Sequence, residues 1–146
     1  MAALKYKKYI VEDLIVSEEE KKKAAENPER LTRLKQILRL DDEIVKGSFH
    51  MGFNWVFGVS DKKQDLEPHV HDFNEVLGWI GIDWKNPRDL GGEIEFWIED
   101  EKYILNKSCV IFIPKGVKHC PLKDLKVDRP FIHFGAITKK NYKLAS

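Results

Sequence analysis

Two histidines and a glutamate occur at a spacing that suits a metal site. His69 and His71 are separated by one residue, and Glu75 follows. Side chains of the same parity point to one face of an extended chain, so the two histidines share a face. Glu75 joins them if the chain stays extended through Asn74, and two imidazoles with a carboxylate are a suitable ligand set for a divalent transition metal. The alternative is a His-x-His pair that lies on a polar sheet edge and binds nothing.

A third histidine follows a sharp turn further along the chain. The apolar run 109–113 ends at Pro114-Lys115-Gly116, and His119 comes three residues after the glycine. Proline fixes one turn dihedral and glycine permits a positive one, so the chain reverses and His119 begins the next strand. By itself, this pattern is also consistent with a hairpin whose histidine lies at the surface.

These residues require strands to position them, and the sequence from Gly47 onward predicts strands. Apolar and polar residues alternate there, and turn residues such as Gly91-Gly92 separate short runs without an intervening helix. This pattern favours an antiparallel sandwich or barrel. The predicted strands cover 51–59, 75–82, 94–99, 103–105, 109–113 and 131–138.

The first third of the chain has a different pattern. Ser17 and Glu20 have capping-box spacing, so a helix is predicted to begin there, and its charge run 18–23 is interpreted as a solvated face. Asn27-Pro28 predicts a second helix start. In that second helix, apolar residues at helical spacing face the barrel and basic residues face outward. The apolar residues are Leu31, Leu34, Ile37 and Leu38, and the basic ones include Arg33 and Arg39. Tyr9–Val11 is predicted as an edge strand.

Composition excludes several classes of protein. The chain has 146 residues, of which 42% are hydrophobic and 11% aromatic, so it is not a disordered chain. Its 25 Lys+Arg against 24 Asp+Glu give no basic excess, and a nucleic-acid partner is not expected. Neither a signal core nor a run of about 20 apolar residues is present, so no membrane partner and a cytoplasmic location are expected. Cys109 and Cys120 are expected to be core thiols.

Both motifs together resemble the cupin superfamily. His69, His71 and Glu75 match the metal positions of its first motif, and Pro114, Gly116 and His119 match its second. The resemblance covers about 51–138, and finding both halves in order makes it specific. It departs from the family pattern at turn and framework positions. Lys63, Ser108-Cys109 and Lys123 replace the usual residues there, and Gly81 falls one position short of the closing glycine.

The resemblance implies an all-β fold, a cupin jelly-roll (double-stranded β-helix) barrel with one or two N-terminal helices packed outside. We expect one domain over 1–146, with an N-terminal arm and helices over 1–46, a barrel over 47–138 and a tail over 139–146. Bulky apolar walls are expected around an internal cavity. The residues expected in these walls are the Trp55 strand, Trp79, Phe96 or Trp97, Phe112, Phe131 and Phe134.

The same resemblance implies that His69, His71, Glu75 and His119 hold a divalent metal, which is Mn, Fe, Co, Ni, Cu or Zn. The expected function is that of an enzyme that uses this metal as a Lewis acid, or for dioxygen activation, on a small oxygenated metabolite such as a sugar or a keto or hydroxy acid. Isomerisation, decarboxylation and oxygenation are the expected reaction types. One alternative is a non-catalytic binding or sensing module, and another is a metal-free protein whose histidines only form hydrogen bonds.

Two residues are candidates for catalysis. Glu75 is expected to exchange between binding the metal and relaying a proton. His133 is expected to orient a ligand or act as a general base, and its alternative is a buried histidine that bonds to a backbone carbonyl. His50 is interpreted as structural. A homodimer is expected, paired through the exposed face of the aromatic strand 51–59 or through the N-terminal arm.

Overall fold

The computed structural model describes residues 4–59 and 67–139. It contains one α-helix, two short 3-10 helices over Lys7–Tyr9 and Pro28–Thr32, and eight strands in the described residues. The predicted turn at 60–62, the motif position Lys63 and the tail 140–146 lie outside this part of the chain. The helix is α1 (Glu18–Glu26), and the strands are β1 (Leu34–Leu40), β2 (His50–Val56), β3 (Glu75–Ile80), β4 (Asp89–Ile98), β5 (Glu101–Lys107), β6 (Cys109–Ile113), β7 (His119–Val127) and β8 (Phe131–Ile137).

The strands form two antiparallel sheets. One has the order β1-β2-β8-β3-β6, and the other has the order β5-β4-β7. An isolated antiparallel bridge between His69 and His119 adds the segment before β3 to the free side of β7. Early strands therefore pair with late ones, β2 with β8 and the His69 segment with β7. This order of strands is that of a jelly roll, and it confirms the predicted fold class.

The apolar core lies between the two sheets. Trp79 of β3 and Phe96 of β4 are fully buried, and their rings meet edge to face with centroids 5.9 Å apart. Phe131 of β8 is also fully buried, as predicted. The prediction was wrong for Phe112, which is 59% exposed on β6. Phe134 also does not line the interior, because it covers Gly78 on the opposite side of the sheet from Trp79.

The prediction of a second helix was wrong over most of its length. Only Pro28–Thr32 is helical, as a 3-10 turn, and Leu34–Leu40 forms strand β1 along the edge of the larger sheet. A register shift between Gln36 and Leu38 breaks the alternation of β1, so its apolar residues mimic helical spacing in the sequence. Backbone pairing with β2 overrides the local helical pattern.

Three further local predictions were wrong. Arg33 and Arg39 are buried rather than outward, because each has a buried carboxylate beside it. Arg33 lies 3.8 Å from Asp124, and Arg39 lies 2.6 Å from Asp41. The segment Tyr9–Val11 is not a strand, since Lys7–Tyr9 is a 3-10 helix. Gly91-Gly92 is not a turn but lies within β4, at a register shift against β5.

The helix predicted from Ser17 is confirmed as α1. The Ser17 hydroxyl accepts a hydrogen bond from the Glu20 amide at 3.1 Å, as an N-cap should. The Glu20 carboxylate does not complete a capping box but binds the Arg30 guanidinium, which joins α1 to the turn that follows it. In the described residues the longest helix is α1 with nine residues, and a bilayer span needs about 20.

Candidate metal centre

Backbone hydrogen bonds bring together the two segments that carry the histidines. The His69 amide donates to the His119 carbonyl at 3.1 Å, and the His119 amide donates to the His69 carbonyl at 3.0 Å. The Gly116 amide donates to the His71 carbonyl at 2.9 Å, so the turn before β7 is also fixed to this segment. Residues fifty positions apart in the chain are therefore held as neighbours across one short ladder.

The three imidazoles converge. One potential ligand atom from each of His69, His71 and His119 lies within 4.8 Å of the others. The ring centroid of His119 is 4.5 Å from that of His69 and 4.8 Å from that of His71. His71 and His119 are almost fully buried, whereas His69 is partly exposed. The histidines of the two sequence motifs thus form a single cluster.

The backbone also fixes the orientation of each ring. The Nδ1 atom of His69 contacts the Glu67 carbonyl at 2.7 Å, that of His71 contacts the Phe73 carbonyl at 3.0 Å, and that of His119 contacts the Val117 carbonyl at 2.9 Å. A carbonyl only accepts hydrogen bonds, so each Nδ1 carries the proton. Each Nε2 then carries the lone pair of its ring, which is the form of histidine that binds a metal.

Glu75 lies beside two of the three imidazoles. Its Oε1 atom is 3.6 Å from Nε2 of His71 and 3.3 Å from Nε2 of His119, and its side chain is nearly inaccessible to solvent. Burial acts to lower the pKa of His119, but the Glu75 carboxylate and the Val117 carbonyl outweigh this effect and raise it. Burial lowers the pKa of His69.

The donor set fits a divalent transition metal. The Nε2 atom of His119 is buried and has no hydrogen-bond partner in the described residues, although Glu75 is close. Buried polar atoms normally have a partner, and a cation between the rings would supply one. Three nitrogens and one carboxylate oxygen suit several metals of the first transition row, so the residues do not distinguish among them.

The imidazole cluster opens into an internal cavity of about 220 Å³. His69 and Glu75 line one side of it, and Asn54 and His133 line the inner face of the larger sheet. A smaller chamber of about 140 Å³ shares Asn54 and His133 with this cavity as lining residues. Residues of α1 also line the cavity, namely Glu19, Glu20 and Lys23, together with the cap residue Ser17.

A larger open depression, of about 810 Å³, shares no lining residue with this cavity. It is lined by Lys85 and Arg88 of the loop before β4, and by Arg129, which binds Asp89 at 2.8 Å. Basic side chains such as Lys85 and Arg88 could meet a substrate carboxylate if they stood at the mouth of the barrel. They lie away from the imidazole cluster, so the structure does not favour that role.

His133 lies on the wall of the cavity but is not a member of the imidazole cluster. Its Nδ1 atom contacts the Gly78 carbonyl at 2.9 Å, and its ring stacks on Trp79 with centroids 4.5 Å apart. Burial lowers its pKa to about 4, so it is neutral near pH 7. Since Nδ1 carries the proton, Nε2 can only accept a hydrogen bond.

Several cavity residues were not identified from the sequence. Adjacent residues of a regular strand point to opposite faces, yet His119 and Cys120 are both buried, because a positive φ of 75° at Cys120 breaks the strand alternation. Burial and the nearby Glu75 carboxylate raise the pKa of the Cys120 thiol to about 12. His50 also lines the cavity, 3.8 Å from Asp41. The charge run of α1 was interpreted only as a solvated face, and nothing local in the sequence indicated where the helix would lie.

Comparison with known proteins gives structural likeness only. No family model matches the sequence, and no curated protein sequence matches it. Similar solved structures include the cupin domain of Schizosaccharomyces pombe Cnp3, at 18% identity and a TM-score of 0.48 over 73% of this chain and 61% of that one. A putative ethanolamine utilization protein Q from Salmonella typhimurium is 16% identical, with a TM-score of 0.42 over 74% of this chain and 69% of that one.

An oxalate oxidase in complex with the substrate analogue glycolate is also similar, at 14% identity and a TM-score of 0.49. The similar region covers 77% of this chain but only 54% of that protein. At these identities the likeness concerns the fold alone. The jelly-roll fold itself rests on the order of strands described above.

The lowered pKa of His133 predicts a loss of stability in acid. The unfolded histidine takes up a proton near pH 6.5 and the folded one near pH 4, so the unfolded state binds more protons between these values. Stability should therefore fall as the pH is lowered through that window, by up to about 3 kcal/mol from this residue. Urea unfolding of wild type and His133→Gln, each with a chelator present, measures the difference. If the free energy of unfolding changed with pH in parallel in the two proteins, the lowered pKa of His133 would be contradicted.

Proposed function

We propose that this chain is a metalloprotein in which His69, His71, Glu75 and His119 bind one divalent transition metal. The observation that carries the proposal is the orientation of the three rings, whose Nδ1 atoms are all occupied by backbone carbonyls. This arrangement leaves three Nε2 lone pairs near one carboxylate. The metal-free alternative, in which the histidines only form hydrogen bonds, accounts for the Nδ1 contacts, but it satisfies the buried Nε2 atom of His119 only if that nitrogen is protonated and faces the Glu75 carboxylate 3.3 Å away.

We further propose that the protein is an enzyme acting on a small oxygenated metabolite, such as a sugar or a keto or hydroxy acid. A bound metal would supply Lewis acidity, or dioxygen activation if it is iron. A cavity of about 220 Å³ is smaller than the roughly 300–1,000 Å³ of drug-sized ligand sites, so it favours a small molecule. Four protein ligands also leave coordination positions open, unlike a closed structural zinc site.

Glu75 and His133 are the residues proposed to take part in catalysis. Glu75 is a buried carboxylate next to two of the proposed metal ligands, so it can exchange between binding the metal and relaying a proton from a ligand bound beside it. His133 is neutral and presents Nε2 as an acceptor, so it can bind and orient a hydroxyl group of the substrate. As a base, a group with a pKa of about 4 is weak at pH 7, which favours the orienting role for His133.

Metal analysis tests the site directly. Protein purified without a tag or added metal should carry about one equivalent of a first-row metal, because the donor atoms are already oriented. His71→Ala and His119→Ala should each reduce the metal content at least about tenfold. His50→Ala is the matched control, since His50 lines the same cavity but is not in the cluster, and it should keep its metal. Metal retained in both ligand variants would refute the site.

A turnover assay separates an enzyme from a non-catalytic binding or sensing module. The metal-loaded protein is assayed with a panel of keto acids, sugars and catechols, under air and under nitrogen. An enzyme should convert at least one of these classes of compound. His133→Gln should raise the KM for that compound, because the imidazole proposed to bind its hydroxyl group is lost. Binding of panel members with no conversion of any would contradict the catalytic proposal and leave the binding module.

We also propose that the protein forms a homodimer through the outer face of its larger sheet. That face is apolar, and Val110 and Phe112 of β6 are 61% and 59% exposed on it. Contiguous exposed apolar surface is typical of an interaction site. Its other apolar residues are Met51, Phe53, Trp55, Val76, Ile80, Ile132 and Phe134.

Sedimentation equilibrium should give a dimer mass for the wild type. Phe112→Lys should shift the protein to monomer, because a buried unpaired charge in the interface is costly. Ile104→Lys is the control, since Ile104 is also exposed but lies on β5 of the other sheet. A monomeric wild type, or a dimer unaffected by Phe112→Lys, would contradict this proposal.

A further inference from the structure

Lys23 of α1 lies between solvent and the interior of the barrel, with its side chain 39% exposed. It lines both the cavity of about 220 Å³ beside His69 and Glu75 and the smaller chamber of about 140 Å³. Asn54 and His133 also line both spaces, so they mark where the two spaces meet. A cationic side chain therefore stands at this junction, in the cavity that contains the candidate metal centre.

The position of α1 is set by polar contacts. None of its residues is buried, and its Glu20 carboxylate is bound by the Arg30 guanidinium at 3.1 Å. Upstream, the Arg39 guanidinium donates to the Ile15 carbonyl and so fixes the segment that leads into the helix. The helix therefore presents charged side chains to the cavity instead of apolar ones. Core packing does not explain this arrangement.

Of the lysine and arginine side chains that line the two spaces, Lys23 has the longest ion pair. Arg39 lies 2.6 Å from Asp41 and 3.3 Å from Glu43, and Arg30 is held by Glu20. Lys23 is paired only loosely, at 3.5 Å, with Glu19 one turn earlier, and both side chains are partly exposed. Such a pair on a helix surface contributes little, so an anionic ligand can replace Glu19 at little cost.

The charges at the candidate centre also favour an anion. A divalent cation with three neutral imidazoles and the Glu75 carboxylate carries a net charge of +1, which one carboxylate of a ligand would neutralise. Lys23 supplies a second positive charge in the same cavity once Glu19 turns toward solvent, where it is already 59% exposed. A ligand with two negative groups would therefore be neutralised within the cavity.

We propose that the cavity binds a small organic dianion, with one carboxylate at the metal centre and a second carboxylate bound by the Lys23 ammonium. This inference rests on the proposed metal site and narrows its substrate to the dicarboxylate class. Lys23 is a specificity-determining residue in this scheme, and α1 is the element that places it at the cavity. Asn54 and His133 remain free to bind hydroxyl groups between the two carboxylates.

The test compares ligands that share one metal-binding head. Cobalt-loaded protein is titrated by calorimetry with lactate and with the 2-hydroxy dicarboxylates tartronate, malate and 2-hydroxyglutarate, whose second carboxylate lies at increasing distance. At least one dicarboxylate should bind about tenfold tighter than lactate, the effect of one charge-assisted hydrogen bond. Lys23→Met should abolish this gain without changing lactate affinity, and Lys23→Arg should retain part of it.

Lys22→Met is the matched control, because Lys22 is on the same helix, pairs with Glu26 and does not line the cavity. It should keep the full preference for the dicarboxylate. Failure of the wild type to bind cobalt would overturn the metal site and this inference with it. Cobalt binding with no dicarboxylate preferred over lactate, or with the preference unchanged in Lys23→Met, would overturn the role of Lys23 and leave the metal site standing.

Discussion

The candidate site depends on the reciprocal backbone pair between His69 and His119. These two hydrogen bonds, of 3.1 and 3.0 Å, join the segment before β3 to the start of β7. They bring together two histidine motifs that lie fifty residues apart in the chain. The same local backbone supplies the carbonyls that hold each Nδ1 atom, so the fold positions the rings and also selects the tautomer.

The interior of the barrel is divided between apolar packing and polar function. Trp79, Phe96 and Phe131 fill one part with fully buried rings. The other part contains the imidazole cluster, Glu75 and a cavity that residues of α1 help to line. The N-terminal segment completes this second part, since β1 extends the larger sheet and the buried Arg33 stands beside Asp124 of β7. The site is thus built by the whole chain and not by the two motifs alone.

Much of the barrel was predictable because its signals are local. Strand β6 was predicted at its observed bounds, and β3 and β8 were predicted to within two residues. The shared parity of His69 and His71 and the turn before His119 also indicated that these residues could meet. Alternation along a strand and turn chemistry depend on neighbours in sequence, so they can be recognised without the fold.

The remaining features depend on contacts between distant segments. β1 was mistaken for a helix because its register shift interrupts the two-residue alternation of a strand. Only its pairing with β2 shows that the segment is a strand. The inward position of Cys120 follows from one positive φ, which no residue type at that position signals. Lys23 and Glu19 looked like ordinary solvated helix charges, since the sequence does not state which surface α1 covers. Predictions from sequence were therefore best for strands with regular alternation, such as β3, β6 and β8, and weakest for the N-terminal elements whose residues line the cavity.

The central claim is that His69, His71 and His119 present their Nε2 lone pairs to one metal ion. Long-range proton–nitrogen NMR correlation on protein with nitrogen-15-labelled histidines measures this directly. In the metal-free protein all three rings should be protonated at Nδ1, and addition of one equivalent of zinc should shift the Nε2 resonances of these three rings together. Protonation at Nε2 in any of the three, or zinc-induced shifts at His50 and His133 instead, would contradict the account.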